Sequence, residues 1–598
     1  MARTTSRRSV LAAAGAAVTS AGCLGRARNI AGRDAPSQLT LEISTIPADS
    51  DPNAVRIARH LAEHLTAVGV DARVETMAEA DLRRSVLLNH DFDAYVGQFP
   101  EKKPFDPDAL YALTHSSFTA ETGWQNPFGF TELAVDDLLD EQRSVMEGSR
   151  GAVIDAVQEA ICDQQPFSVV AFPDALTAIG EARFTGWETG NPTSALGLLR
   201  LSSVDAGGSP TIRLATTDDR ITENWNPIAV EYRRHGTFTS LLYDPLARVD
   251  DDTTIPWLAR DWEWVGPSTV RLDIREAKWH DGEPLTASDV AFTYEFLADT
   301  SMGTAETPIP TPKFRGRSSV AQDATVVDGS TVDLHVGDVN RPVGERALQV
   351  PILPEHVWQD RTDTVTIAGI EIDEETTEAL VWNNEEPVGS GPLRFAEATA
   401  EQEVIFDRNP DHFLHRLESE ADADPGSTIE GIPETYVGKP SFDRLVVEVV
   451  PSDIAAVQRV GDGLADATAS NLGPDAVPRI GRETDARLVS SRSAAFYHVG
   501  YNVRRAPLSN PRFRGILASL IDKATLIDDA FDGYAEPAAS ALARSPELVP
   551  PSLRFEESDP VYPFHGEGGE LAIEDVRDAF REAGYRYNDA GELLAREQ

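Results

Sequence analysis

From Leu39 to Ile43 apolar and polar residues alternate, the two-residue period of a strand with one buried face. Asp51-Pro52 then opens a helix, with proline at its first position, where a missing N–H does no harm. Val55, Ala58, Leu61, Ala62, Leu65 and Val68 fall on one face of that helix and Gly69 closes it. Val70, Ala72 and Val74 make the next strand, a second helix covers residues 79–88, and residues 93–98 are extended again. A strand-helix-strand-helix-strand series predicts parallel pairing and hence an α/β lobe.

The pattern breaks at residues 203–210, Ser-Val-Asp-Ala-Gly-Gly-Ser-Pro, a linker by composition. A new strand starts at Thr211-Ile212-Arg213-Leu214-Ala215. From there to about residue 500, aromatic and β-branched runs alternate with turns such as Asp281-Gly282 and Asp328-Gly329, so this stretch is strand-rich. Helices punctuate it. Thr286 and Asp289 form a capping-box start before Val290, Tyr294 and Leu297, and Ser452 caps a helix ending at Gly461. Asn510-Pro511 opens an amphipathic helix through Phe513, Ile516, Leu517, Leu520 and Ile521. A chain of 598 residues is too long for one core and divides into two or three domains.

Composition adds a constraint on partners. The formal net charge is −45, from 98 acidic and 53 basic residues, and lysine occurs only at 102, 103, 278, 313, 439 and 523. Such a chain repels nucleic acid and anionic membrane surfaces. Molar salt shortens the Debye length to ~3 Å and removes the self-repulsion, so the balance reads as adaptation to high salt. The rival reading, an acidic surface for a cationic partner, needs acids concentrated in one place, and here they are spread along the chain.

The N-terminus carries its own signal. Arg7-Arg8 precedes a short Ala/Gly-rich apolar stretch that ends at Ala21-Gly22-Cys23. A twin arginine before a weakly hydrophobic segment is an export signal, and Val10–Ala21 is too short to span a bilayer. Small residues before Cys23 resemble a lipobox, whose thiol is lipidated and becomes the first mature residue; the alternative is a chance cysteine in an uncleaved signal. Residues 24–37 form a flexible tether. Only Cys162 then remains, so a disulfide within one mature molecule is impossible, and its helix-like surroundings make it a packed apolar side chain.

Several segments after residue 211 are family signatures. They include Leu241-Leu242-Tyr243-Asp244-Pro245-Leu246, Ile255-Pro256-Trp257-Leu258-Ala259 and the run from Lys278-Trp279-His280-Asp281-Gly282 to Tyr294. Val388-Gly389-Ser390-Gly391-Pro392-Leu393, Arg408-Asn409-Pro410-Asp411, Gly461…Asp466, Tyr501-Asn502 and Pro507-Leu508 follow in order. In this order the segments resemble the extracellular oligopeptide/dipeptide-type solute-binding proteins, family 5, in an acid-rich, haloarchaeal-like version. The C-terminal third of that family resembles the front of this chain: Leu39–Thr45, Val70-Asp71-Ala72-Arg73-Val74, Asp93–Gly97, Phe105-Asp106-Pro107-Asp108, Asn126, Val135–Leu139 and Pro166–Val170.

The resemblance implies an α/β fold of the periplasmic-binding-protein type II, two lobes joined by hinge strands, here circularly permuted. The expected divisions are the export signal 1–23, the tether 24–37 and a second-lobe part 38–167. A return to the first lobe over 168–202, the linker 203–210, the first lobe 211–500 and the rest of the second lobe 501–598 follow. The family's continuation beyond residue 598 is expected at the front of the chain, with Leu39 and Ala595 close in space. An unrelated front domain over 38–200 is the alternative.

Function follows from the same resemblance: no enzyme and no cofactor, but a clamp that closes on a small, peptide-like solute and hands it to the permease subunits of an ABC importer. The protein would act as a monomer on the outer face of the membrane, held by its lipid alone, with no nucleic-acid partner. Hinge crossings are expected near Tyr497–Asn502 and Pro166–Val170. Candidate ligand contacts are Trp225, Asn226, Gly389, Ser390 and Gly391 on the first lobe, Gln98, Phe99, Trp124 and Asn126 on the second, and Tyr501 and Asn502 at the hinge. Each has an ordinary packing or turn role as its competing explanation.

The family's amine-binding aspartate has no plain counterpart. Counted from Gly97 its place falls to Glu101, and counted back from Asp106 to Lys103. A buried Glu would keep an amine ligand; a buried Lys would reject it and favour an anionic or sugar-like one. The family also includes nickel, oligosaccharide and opine binders. His60 and His64 have a spacing that can hold a metal, but no third ligand completes a motif and none is expected. Hydrolase and phosphate-loop motifs are missing. A receptor-coupled sensor and a lobe pair that has lost binding remain as other readings.

Overall fold

The computed structural model describes residues 37–99, 106–188, 191–204, 210–229, 236–250, 253–365, 376–417 and 428–595. Arg7, Arg8, Cys23, Glu101 and Lys103 lie outside the described residues.

The opening pattern becomes what its periods predict. Strand β1 (Thr40–Thr45) is followed by helix α1 (Pro52–Ala67) and strand β2 (Asp71–Thr76). The Asp51 carboxylate accepts from the Ala54 N–H at 3.0 Å, satisfying one amide that a helix start leaves open. The second helix runs over Glu79–Arg83 and continues as a π-helical turn, Arg84–Leu88, into strand β3 (Ala94–Phe99). β1 pairs in parallel with both β2 and β3. Helices α2 (Ala109–Thr114), α3 (Leu133–Ser144) and α4 (Glu147–Gln164) lead to β4 (Phe167–Ile179), a 13-residue strand.

The second half starts with β5 (Thr211–Thr216). Strands β6 (Ala259–Trp264), β7 (Thr269–Ile274), β8 (Asp323–Val326) and β9 (Thr331–His335) form an antiparallel sheet in the order β6-β7-β9-β8. Helix α5 (Ala287–Ala298) carries the Thr286/Asp289 capping box, and α6 (Arg341–Arg346) lies beyond this sheet in the chain. Then come β10 (Leu393–Thr399), β11 (Glu403–Arg408), β12 (Arg444–Val449), α7 (Asp453–Gly461), β13 (Ala467–Thr468), β14 (Arg487–Arg492) and β15 (Phe496–Tyr501). Helices α8 (Pro511–Ser519) and α9 (Lys523–Phe531) and strand β16 (Ala535–Pro537) follow.

These strands join in the order β10-β11-β12-β5-β13-β4-β15-β3-β1-β2, with β14 and β16 also on β4. β4 is therefore common to two lobes. Its residues Phe167–Ala171 pair with β15, which itself pairs with β3; its residues Asp174–Ile179 pair with β14. The partner change lies at Ala171–Asp174 on β4 and between Arg492 and Phe496 on the returning strand, to one side of the expected Pro166–Val170 and Tyr497–Asn502. The reason is local: β4 is apolar on both faces, so its periodicity carries no mark of where partners switch.

The front of the chain is not a separate body. Leu41, Ile43 and the buried face of α1 share one core with Tyr497, Val499, Phe513, Leu517 and Phe580. On the other face of the same strands, Tyr95, Phe99, Phe128 and Phe167 pack with Phe496. β15 alternates between the two cores, with Tyr497, Val499 and Tyr501 to one side and Phe496 to the other. The Leu39 N–H donates to Leu593 O at 2.7 Å and the Ala595 N–H to Ser37 O at 2.9 Å, so residues 37–39 run antiparallel to 593–595. Among the described residues no helix is long and apolar enough to cross a membrane.

Candidate functional site

The parallel strands of each lobe end at the seam between the lobes. In α/β sheets the carboxyl ends of such strands form the binding crevice, because connecting loops there are free of the ladder. On the second lobe those ends lead to Glu79, after β2, and to Phe99, the last residue of β3. On the first lobe β5 and β13 lead to Thr217, Asp218, Arg220 and Ser470; the Thr217 and Ser470 hydroxyls are 3.4 Å apart. Arg220 reaches across to Glu79 at 3.1 Å while also holding Asp218 at 3.1 Å. Burial opposes the charge on Arg220, but Asp218 and Glu79 outweigh it and keep the guanidinium firmly protonated.

The second lobe also carries an aromatic wall, at the end of β3. Trp124 meets the Phe99 ring edge-on at 5.1 Å and Phe496 stacks on Phe99 at 5.2 Å. Gln98 sits opposite Tyr497 in the β3–β15 ladder. Trp124 is half-buried, and its neighbour Gln125 donates to Pro312 O of the first lobe at 2.9 Å, so the wall borders the seam. Behind it His498 Nε2 lies 2.6 Å from the Tyr95 hydroxyl. Burial pushes the His498 pKa down to about 3, so the ring is neutral and serves packing.

The structure brings Phe99 and Trp124 together, places Gln98 beside Tyr497 on the opposite face of the sheet, and leaves the other candidates apart. Trp225 is buried against Phe395 and Phe406. The Asn226 amide donates to Ala379 O and Trp382 O and accepts from Ile228 N–H. Asn126 is likewise spent, donating to His115 O and Phe130 O and accepting from the Phe130 N–H. A Cβ on Gly389 or Gly391 would fall 2.0 Å from Leu242 O and 2.2 Å from Leu241 O, and the Ser390 hydroxyl accepts from Asp244 N–H. Tyr501 bonds to Ser168, and Asn502 donates to His90 O and Phe92 O, at the end of β15 remote from the crossing.

Sequence reasoning missed Glu79, Arg220 and Ser470. The signal available was position: each follows a strand of the parallel series within a few residues. The His60 Nε2 accepts from Asp522 N–H and His64 Nδ1 bonds to Leu520 O. Among the described residues no group of three or more His, Cys, Asp or Glu is placed to hold a metal ion.

Residues 253–597, more than half of the chain, match the family described as bacterial extracellular solute-binding proteins, family 5 Middle. A Brucella ovis protein named for peptide binding to an ABC transporter is 24% identical over 343 residues, 56% of each chain. The oligopeptide-binding protein AppA of Bacillus subtilis is 23% identical over 338 residues, 55% of this chain and 51% of that one. This chain spans about half the length of the curated relatives it matches. The solved structure of B. subtilis AppA with a nonapeptide aligns at a TM-score of 0.45 and 18% identity, covering 65% of this chain and 68% of that one.

Proposed function

Since the chain belongs to the bacterial extracellular solute-binding proteins, family 5, we propose that it captures a small, peptide-like solute outside the cell and delivers it to the permease of an ABC importer. The observation that carries this reading is the two-lobed seam, where the carboxyl ends of both sheets face one another and Arg220 and Glu79 meet across it at 3.1 Å. Ala171–Asp174 and the link between Arg492 and Phe496 are the hinge, and Phe99 and Trp124 line the solute's path. Relatives named for peptide binding favour a peptide. Glu101 and Lys103 remain the charged candidates, expected to act unequally.

Three further properties belong to the same reading. Arg7-Arg8 and Cys23 direct twin-arginine export and lipid anchoring on the outer membrane face. The −45 charge adapts the chain to high salt. The lobe order is a circular permutation of the family's, supported by the core that residues 39–96 share with residues 497–593 and by the antiparallel contact of 37–39 with 593–595.

Native mass spectrometry of the protein purified in high salt, followed by a thermal-shift screen of peptides, sugars, opines and Ni²⁺, tests the binding assignment. A co-purifying peptide and a peptide-dependent rise in melting temperature are expected. Stabilisation by none of these classes would overturn it.

A further inference from the structure

The two lobes also touch away from the hinge, and several of those contacts gather at and beside one short helix. Asn340, the N-cap of α6, donates its backbone N–H to Arg143 O at 2.7 Å and its amide Nδ2 to Gln142 O at 2.7 Å. Gln142 and Arg143 belong to the last turn of α3 in the second lobe, where helical carbonyls have no partner of their own. At the other end of α6, Arg346 Nη1 donates to Asp106 Oδ1 at 2.8 Å and lies 3.5 Å from Asp108 Oδ2. Beside α6, Arg315 grips Glu121 through two bonds of 2.8 and 2.9 Å.

Ion pairs across an interface need not favour it, because both partners lose water. Here partners within the second lobe offset part of that loss. Asp108, fully buried in the joined lobes, is held by partners of its own lobe, Gln142 at 2.8 Å and Arg143 at 2.6 and 3.0 Å. Asp106 has Arg150 of its own lobe 3.7 Å away. The Arg346 guanidinium, 7% exposed in the joined lobes, gives up water on closure, as does the Asp106 carboxylate it meets, and guanidinium is the more weakly hydrated cation. In return it meets two carboxylates fixed in place.

We propose that α6 is a clasp: Asn340 and Arg346 at its two ends, with Arg315 beside them, hold the lobes closed and set the open–closed balance without touching solute. The clasp rests on the two-lobe clamp reading but not on which solute is bound.

Small-angle X-ray scattering of the dialysed full chain, with no solute added, reads the balance as a two-state mixture. Arg346→Gln is expected to raise the open-to-closed ratio about tenfold, less than the loss from a lone buried pair, because Arg150 and Arg143 still hold the two carboxylates. The more exposed Arg315→Gln should raise it about twofold. Asn340→Asp keeps an oxygen for the α6 cap at Val343 N–H but loses the donor to Gln142 O, and should fall between them. Arg444→Gln, which breaks a pair with Asp407 inside one lobe, should scatter like wild type. Superimposable curves for Arg346→Gln, Asn340→Asp and wild type would overturn the clasp, as would a wholly open wild type or equal opening by Arg444→Gln. If Arg346→Gln fails to fold by circular dichroism, Arg315→Gln and Asn340→Asp decide. Failure of every solute in the thermal-shift screen would leave these curves unaffected, so the two claims fail separately.

Discussion

At Gly391 the chain passes so close to the 241–242 backbone that no side chain fits, and Gly389 meets the last carbonyl of the same helix. Gly391→Ala should cost about 1–3 kcal/mol, the usual penalty of overpacking, read as a shift in the urea midpoint. Histidines give a second prediction at this scale. Burial holds His60, His90, His280 and His415 down to about 4 and His498 to about 3. Between pH ~6.5 and ~4 the unfolded chain therefore binds protons that the folded chain refuses. Stability is full above pH ~6.5 and falls as pH drops through that window, with His498 alone contributing a slope of about 1.4 kcal/mol per pH unit. Urea midpoints measured from pH 7 to 4.5 check the sign. Trp225, Asn226 and Asn126 stand at positions the resemblance marks for ligand, yet their atoms are used inside their own lobes. Residue type alone does not separate a ligand contact from a core contact.

Among the elements, α1 and β1–β3 follow directly from their periods, and the Asp51, Thr286 and Ser452 caps sit where local chemistry places them. The crossing did not show in the sequence, and its control is an arginine distant in the chain. Arg544 donates to Phe172 O at 3.0 Å on β4 and to Ser493 O at 3.1 Å on the returning strand, while pairing with Glu536 at 2.6 Å. One guanidinium thus ties the two crossing strands together, at a β4 residue that also pairs with β16 and at Ser493 between β14 and β15. Arg544→Met should raise amide exchange about tenfold over residues 172–174 and 493–496 and leave α1 unchanged, since local opening responds to local bonds. Hydrogen exchange by mass spectrometry reads both regions at once.

For the whole molecule, charge and chain order matter most. With a net charge of −45, melting temperature should rise steeply from about 0.1 M to about 2 M KCl as the Debye length falls from ~10 Å toward ~2–3 Å. A flat profile would remove the high-salt reading. Residues 593–595 and 37–39 already run as the two arms of a hairpin, so a short turn can join them. A gene that starts at residue 211, joins 595 to 37 through such a turn and ends at 204 should fold with an unchanged circular dichroism spectrum. Its melting temperature should lie within a few degrees of the parent's, about the shift expected for ~1 kcal/mol in a large domain.

Local periods, caps and the export-like front were legible in the sequence because each depends on neighbours within a few positions, and charge balance and the order of the family segments because they need only the linear order of residues. The partner change on β4, the Arg220–Glu79 bridge, the Arg544 tie and the grip of α6 on α3 were decided only in three dimensions. They join residues tens to hundreds of positions apart, and no local pattern records which distant group a buried charge or an open helix end will meet.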